Sequence, residues 1–144
     1  MPTEPSGNSG YLSEMDIRIW LRDKDPAANL LLDDFEFGQE EIRTASTLAV
    51  DAWNEEPPAI RCHELYDFPY RFALLRGTAA NLLKIAANLY RRNKLDYNIP
   101  GGAVNDQKRD AEYDAAADRL WKEYMDWVRH KKRSINIERG WGRI

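Results

Sequence analysis

The sequence predicts an all-α fold, a compact helical bundle of about four helices. Apolar residues recur every three or four positions in several stretches, which is the period of a helix with one buried face. Proline and glycine pairs, Pro57-Pro58 and Gly101-Gly102, interrupt the chain between such stretches. We expect residues 1–12 to form a flexible N-terminal arm, 13–133 the bundle domain and 134–144 an extended C-terminal tail.

The first helix is predicted near residues 13–22. Ser13 and Asp16 have the spacing of a capping box in which Asp replaces Glu. Apolar residues then follow at helical spacing, at Ile17, Trp20 and Leu21. Alternating apolar residues in the same stretch also fit a strand, so both interpretations stand at this point.

The second helix gives the clearest amphipathic pattern. We expect it to begin at Gly38, with Glu40 and Glu41 in the first turn, where the helix dipole favours negative charge. It ends at Asn54, because Pro57-Pro58 cannot continue a helix. Its predicted inward stripe consists of Ile42, Ala45, Leu48, Ala49, Ala52 and Trp53.

The third helix is predicted over residues 67–93, with Asp67 as its cap and Pro69 in its first turn. It is apolar nearly all round, so it must be buried on most sides. In a chain of 144 residues this burial suggests a contact with a second copy. The residues expected to pack between subunits are Gly77, Ala80, Ala87, Trp121 and Trp127.

The last helix is predicted to start at Asn105 or Asp106 and to end near Arg133. Its first half is acidic and its end basic, as the macrodipole favours. The residues from Ser134 to Ile144 show no helical period, so we expect them to be extended. The Gly140-Trp141-Gly142 segment suggests an aromatic anchor that docks into a groove of a partner.

No motif in the sequence indicates catalysis or a metal site. The Arg61-Cys62-His63-Glu64 segment has ligand-type side chains, but neighbours in an extended chain point to opposite sides. Zinc usually takes four ligands, whereas the chain has one cysteine and two histidines. We therefore interpret Cys62 as buried beside a hydrogen-bonded His63, and we expect neither cofactor nor enzymatic activity.

The charge is unevenly distributed. Residues 129–144 carry six basic side chains and one glutamate, a net of +5, which leaves −8 on the rest of a chain whose total is −3. This asymmetry is compatible with nucleic-acid contact, with charge complementarity between protein copies, or with helix-end charge and solubility.

The lone cysteine fits a reducing compartment, and no apolar run is long enough to span a membrane.

Several short sequence motifs occur in a recognisable order. They are D-F-x-F-x-x-E-E-I-x-x-A at 34–45, A-V-D-A-W-N-E-E-P-P at 49–58, F-P-Y at 68–70, A-A-N-L-L-K at 79–84, R-R-N-x-L-D-Y-N at 91–98 and N-I-E-R-G-W-G at 136–142. Over roughly residues 15–142 the chain resembles virion structural proteins of tailed bacteriophages, in particular the small helical head-to-tail adaptor or connector of the neck.

The resemblance implies a homo-oligomeric ring, commonly a dodecamer, in the neck of a virion whose proteins are made in the host cytoplasm. Such a ring binds the portal protein above and a neck or tail protein below, and DNA passes through its lumen without specific binding. The C-terminal residues expected to dock into the portal are Ile135, Ile137, Arg139, Trp141, Arg143 and Ile144. Alternatives are another tail or baseplate subunit, or a small helical protein that binds nucleic acid.

Overall fold

Four α-helices form the described part of the chain. The computed structural model describes residues 12–21, 37–96 and 109–141, with side chains except at 93–96, 109 and 141. The helices are α1 (Glu14–Leu21), α2 (Gln39–Glu55), α3 (Arg71–Asp96) and α4 (Arg109–Trp141). These ranges contain no strand. The predicted all-α bundle of four helices is confirmed. Residues 1–11 of the predicted arm lie outside the described residues, and Leu12 is buried in the core, so its assignment to a flexible arm was wrong.

Helix α3 lies at the centre of the bundle. It packs against α4 along much of its length and against α2 on another side, while the short α1 contacts both α2 and α3. This arrangement explains the nearly continuous apolar character of α3. Neighbouring helices of the same chain cover it, and burial alone therefore does not require a second copy.

Helix α1 begins at the predicted capping box. The Ser13 backbone N–H donates to Asp16 Oδ2, and the Asp16 backbone N–H donates to Ser13 Oγ, both at 3.1 Å. Each side chain thus satisfies a backbone donor that the first turn leaves open. The alternative of a strand over this stretch is wrong.

Helix α2 was predicted to within one residue at its end. Gly38 precedes it with extended backbone angles and no side-chain cap. The buried face carries Ile42, Ala45, Ser46, Ala49, Val50 and Trp53. Leu48 was expected on this face but is 48% exposed, because the buried stripe runs along Ala45, Ala49 and Val50 and passes it by.

The predicted start of the third helix was wrong. Asp67 forms a turn instead, since its Oδ1 accepts the Glu64 backbone N–H at 2.7 Å. Residues 68–70 are not helical, and Phe68 is fully buried. Tyr70 supplies the first helical carbonyl, to which the Leu74 N–H donates at 3.0 Å. Burial of Phe68 therefore delays the helix to Arg71, and its end lies at Asp96 rather than residue 93.

Helix α4 continues past the predicted end at Arg133 and reaches Trp141. The expected extended tail is therefore wrong over 134–141, while 142–144 lie outside the described residues, as does the predicted cap at Asn105 or Asp106. The inward face continues at helical spacing through Tyr124, Val128, Lys132 and Ile135. The longer helix was not predicted because Lys132 interrupts the apolar stripe, and a lysine there is typical of a solvated helix end.

The core is densest where α2, α4 and residues 68–70 meet. The Trp53 ring is fully buried, with its centroid 5.6 Å from that of Phe68, 5.3 Å from Tyr70 and 5.6 Å from Trp127. Tyr124 is also fully buried, and its hydroxyl donates to the Ala49 carbonyl at 2.5 Å. This burial raises the pKa of the Tyr124 hydroxyl.

Ion pairs join α3 to the acidic first half of α4. Lys84 Nζ lies 2.5 Å from Asp114 Oδ1 and 3.0 Å from Asp118 Oδ1. Arg91 reaches Asp114 Oδ2 at 3.2 Å. The hydrogen bonds to Asp114 and Asp118 raise the pKa of Lys84, and the bond from Lys84 lowers the pKa of Asp114. The acidic residues of α4 thus face basic residues of the same chain.

Candidate interaction surface

An exposed aromatic patch lies where α1 meets the start of α3. Phe72 is 57% exposed and Trp20 49% exposed, and their rings meet edge to face with centroids 6.2 Å apart. Ile19 is 51% exposed beside them. We call these three residues, together with Leu75, Arg71 and Arg76, the Phe72 patch. Apolar side chains this exposed and contiguous are typical of binding surfaces.

Two arginines lie in the Phe72 patch, and one of them is paired with a carboxylate. Arg71 Nη2 lies 2.6 Å from Asp16 Oδ2, which ties the start of α3 to α1. Arg76 places its guanidinium carbon 4.6 Å from the Phe72 ring centroid, a cation–π geometry. The patch therefore combines aromatic surface with guanidinium groups, a composition that is enriched in protein interfaces.

Open cavities lie on either side of Phe72. One, of about 270 Å³, is lined by Tyr70, Arg71, Phe72, Ala73, Arg76, Tyr124 and Trp127. The other, of about 330 Å³, is lined by Leu12, Asp16, Ile19, Arg71, Phe72 and Leu75. Phe72 thus forms a ridge between two mostly apolar depressions, a shape that can receive apolar side chains of another protein.

The outward side of α2 forms a second surface of opposite charge. Five exposed residues recur at helical spacing along it: Glu41, Thr44, Leu48, Asp51 and Glu55. We call this stripe the acidic face. Leu48 lies at its middle, and the two terminal glutamates lie about 21 Å apart along the helix axis. The acidic face lies on α2, whereas the Phe72 patch lies on α1 and α3.

The structure separates the residues that were predicted to dock into the portal. Ile135 packs partly against the core, while Ile137 is 57% exposed and Arg139 is exposed. The side chain of Trp141 and all of Arg143 and Ile144 lie outside the described part. The described members are carried by a helix, so Ile135 and Ile137 do not share one face.

Three of the residues predicted to pack between subunits are buried within one chain. Gly77 is buried against Ala49 and Tyr124, and Ala80 and Ala87 are 2% and 0% exposed. The prediction is wrong for these three, because no surface remains for a second copy. Trp121 and Trp127 are partly buried against the core, and their contact with another copy stays a prediction.

Much of the basic charge near the end of α4 is used inside the chain. Arg129 Nε donates to Glu56 Oε1 at 3.0 Å. Lys132 is fully buried, its Nζ donates to the Glu56 carbonyl and lies 5.2 Å from the Trp53 ring centroid. Burial lowers the pKa of Lys132. This ammonium satisfies a carbonyl at the C-terminus of α2, so Arg129 and Lys132 both have partners within the chain.

The segment around Cys62 does not match the interpretation made from sequence. Cys62 is exposed, so its expected burial was wrong. The backbone of His63 is clamped by the Asn54 side chain, which accepts from the His63 N–H and donates to the His63 carbonyl, both at 2.8 Å. His63 Nδ1 lies 3.4 Å from Asp67 Oδ1. The clamp fixes the connection between α2 and α3.

The described residues offer neither a metal site nor a membrane-spanning helix. Among the described residues, no group of three or more His, Cys, Asp or Glu side chains is arranged to hold a metal ion. No helix in these ranges is both long enough and apolar enough to cross a membrane.

The Phe72 patch was missed from sequence. Trp20 was assigned to the inward stripe of α1, and Phe72 lay inside a helix that was expected to be buried on most sides. The sequence carried no signal for it, because the burial of Ala73 and Leu74 beside the exposed Phe72 becomes visible only when the neighbouring helices are in place. Comparisons of the chain with protein-family models, curated proteins and solved structures found no match.

Proposed function

We propose that this protein is a non-enzymatic structural subunit of a tailed-bacteriophage virion, a head-to-tail adaptor that forms a ring between the portal and the neck or tail. The observation that carries the proposal is the Phe72 patch. A small bundle that exposes Trp20 and Phe72 beside two arginines carries the residue types that dominate protein interfaces. The specific role comes from the resemblance of the short sequence motifs, in their order along the chain, to phage adaptor proteins.

In this role about twelve copies surround a lumen through which DNA passes without specific binding. The portal protein lies on one side of the ring and a neck or tail protein on the other. The portal contact is assigned to the last turns of α4, where Ile137 and Arg139 are exposed on a helix. In this proposal the portal is contacted by the helical C-terminal end of α4 rather than by an extended tail.

Co-sedimentation with assembled portal rings tests this function. The full chain should move with the portal on a density gradient and appear by electron microscopy as a collar with portal symmetry. Ile137→Asp should weaken this binding, while Glu123→Lys, an exposed change elsewhere on α4, should leave it intact. Absence of the wild-type chain from portal fractions and from intact particles would refute the adaptor role.

The same preparation addresses the alternatives. Exposed basic residues at the end of α4 favour nucleic acid as the second candidate ligand, and Arg129, Arg133 and Arg139 are the exposed members. Binding of this kind weakens steeply as salt rises. A chain that binds duplex DNA in this way and ignores the portal is a nucleic-acid-binding protein. A chain found in particles outside the neck is another tail or baseplate subunit.

A further inference from the structure

We propose that copies of this protein associate head to tail, with the Phe72 patch of one copy seated on the acidic face of α2 in the next. The inference rests on the proposed function, since it identifies the contact that would build the ring. It names a second copy of this chain as the occupant of the patch. The argument depends on charge, on apolar content and on the positions of the two surfaces.

Charge complementarity is the first step. The patch presents Arg76 above Phe72, and beside it Arg71, whose side chain is 52% exposed and already paired with Asp16. The acidic face presents Glu41, Asp51 and Glu55. Within the part of the chain that the structure describes, none of these three carboxylates has an ion-pair partner. The acidic face of one copy therefore offers carboxylates without ion-pair partners to the Arg76 guanidinium of another.

Apolar content is the second step. Leu48 is 48% exposed at the middle of the acidic face, although leucine is unfavourable in water. The Phe72 patch offers two apolar depressions on either side of its ridge. An apolar centre with a charged rim is the usual organisation of a specific interface. Leu48 fits one depression while the carboxylates on either side of it meet the arginines.

Position is the third step. The patch belongs to α1 and the start of α3, whereas the acidic face is the side of α2 that points away from the core. A contact between two different surfaces of the same chain is heterologous, so each copy retains a free patch and a free acidic face. Such contacts generate closed rings or open filaments rather than two-fold dimers.

A charge-exchange experiment tests the contact. Wild-type protein is examined by sedimentation velocity, alone at high concentration and on portal rings, together with Arg76→Glu and Asp51→Lys. Each single reversal should weaken self-association about tenfold or more, because it places like charges against each other. An equimolar mixture of the two variants should recover association, since each then meets a partner of opposite charge and the remaining contact is unchanged.

Matched controls are available on the exposed side of α4. Lys122→Glu and Glu123→Lys change charge by the same amounts at exposed positions outside both surfaces, and they should associate like wild type. Circular dichroism and urea unfolding verify that all variants fold. Wild-type association should also weaken as ionic strength rises.

The outcomes separate this contact from the adaptor role. The contact is overturned if the single variants self-associate as strongly as wild type. It is also overturned if both variants fold but their equimolar mixture does not recover self-association. If wild type forms oligomers neither alone nor on the portal, the contact is overturned together with the ring. Portal binding without any dependence on residues 51 and 76 retains the adaptor and rejects the contact.

Discussion

Gly77→Ala provides the sharpest test of how α2, α3 and α4 fit together. A methyl group at this position would lie 3.0 Å from Ala49 Cβ and 3.2 Å from two ring carbons of Tyr124. Carbon atoms prefer about 3.5–4.0 Å. Ala49 Cβ is fixed to its backbone, and the Tyr124 ring is held by its hydrogen bond to the Ala49 carbonyl. The neighbours cannot yield by rotating a side chain, so α2 or α4 must move away from α3.

Two opposing effects determine the magnitude. Alanine favours a helix interior over glycine by about 1 kcal/mol. Overfilling a packed core costs about 1–3 kcal/mol. The net expectation for Gly77→Ala is a loss of about 1 kcal/mol in the free energy of unfolding. With a urea slope of about 1–3 kcal/mol/M, the unfolding midpoint should fall by roughly 0.3–1 M.

Urea unfolding followed by circular dichroism measures this effect, and Gly140→Ala is the matched control. Apart from its chain neighbours and the nearby backbone of its own helix, no atom lies within 4 Å of a methyl group at Gly140, which is also helical. The control should leave the free energy of unfolding unchanged or raise it by at most about 1 kcal/mol. Ala49→Gly combined with Gly77→Ala should show a favourable coupling of about 1 kcal/mol, because it restores the lost space. A rise in the midpoint for Gly77→Ala at least as large as for Gly140→Ala would refute the close packing.

Three further changes probe the core, the connection and the ion pairs. Leu82→Asp should abolish folding or assembly, because Leu82 is 0% exposed and an unpaired buried charge costs several kcal/mol; recovery of soluble, assembly-competent protein would show that the core is misplaced. Asn54→Ala should cost about 2 kcal/mol in urea unfolding through the loss of both hydrogen bonds to His63, whereas Asn54→Asp, which keeps the acceptor, should cost less. The lowered pKa of Asp114 and the raised pKa of Lys84 give a pH dependence of stability. The Asp114 contribution is complete above pH 3.8 and is lost as pH falls through its folded pKa, while that of Lys84 is complete below pH 10.5 and is lost as pH rises through its folded pKa. Asp114→Asn should therefore flatten the acid side of the stability profile, and an unchanged profile would contradict the pairing.

Sequence patterns predicted the elements well where local chemistry sets their limits. The reciprocal bonds of Ser13 and Asp16 fix the start of α1 as the capping-box spacing indicates. The bounds of α2 follow from its amphipathic period and from Pro57-Pro58. In both cases the determining groups are close in sequence, so the pattern contains the necessary information.

The remaining differences depend on partners distant in sequence. Phe68 leaves the predicted helix because Trp53 and the rest of the core receive its ring. Lys132 keeps α4 helical past the predicted end because its stem is buried and its ammonium meets the Glu56 carbonyl. The Phe72 patch was equally hidden, because an exposed aromatic and a buried one have the same helical spacing until the neighbouring helices are placed.

The last turns of α4 have a thermodynamic character of their own. Ile135 is the final described residue of the helix that packs against the core, and residues 136–140 are all exposed. Without tertiary contacts, each added helical residue gains or loses little free energy. The helix–coil equilibrium of this end is therefore set by its own sequence, including Gly140, and is only weakly coupled to the rest of the bundle. A ligand that binds these turns as a helix shifts that equilibrium and acquires part of its specificity from it.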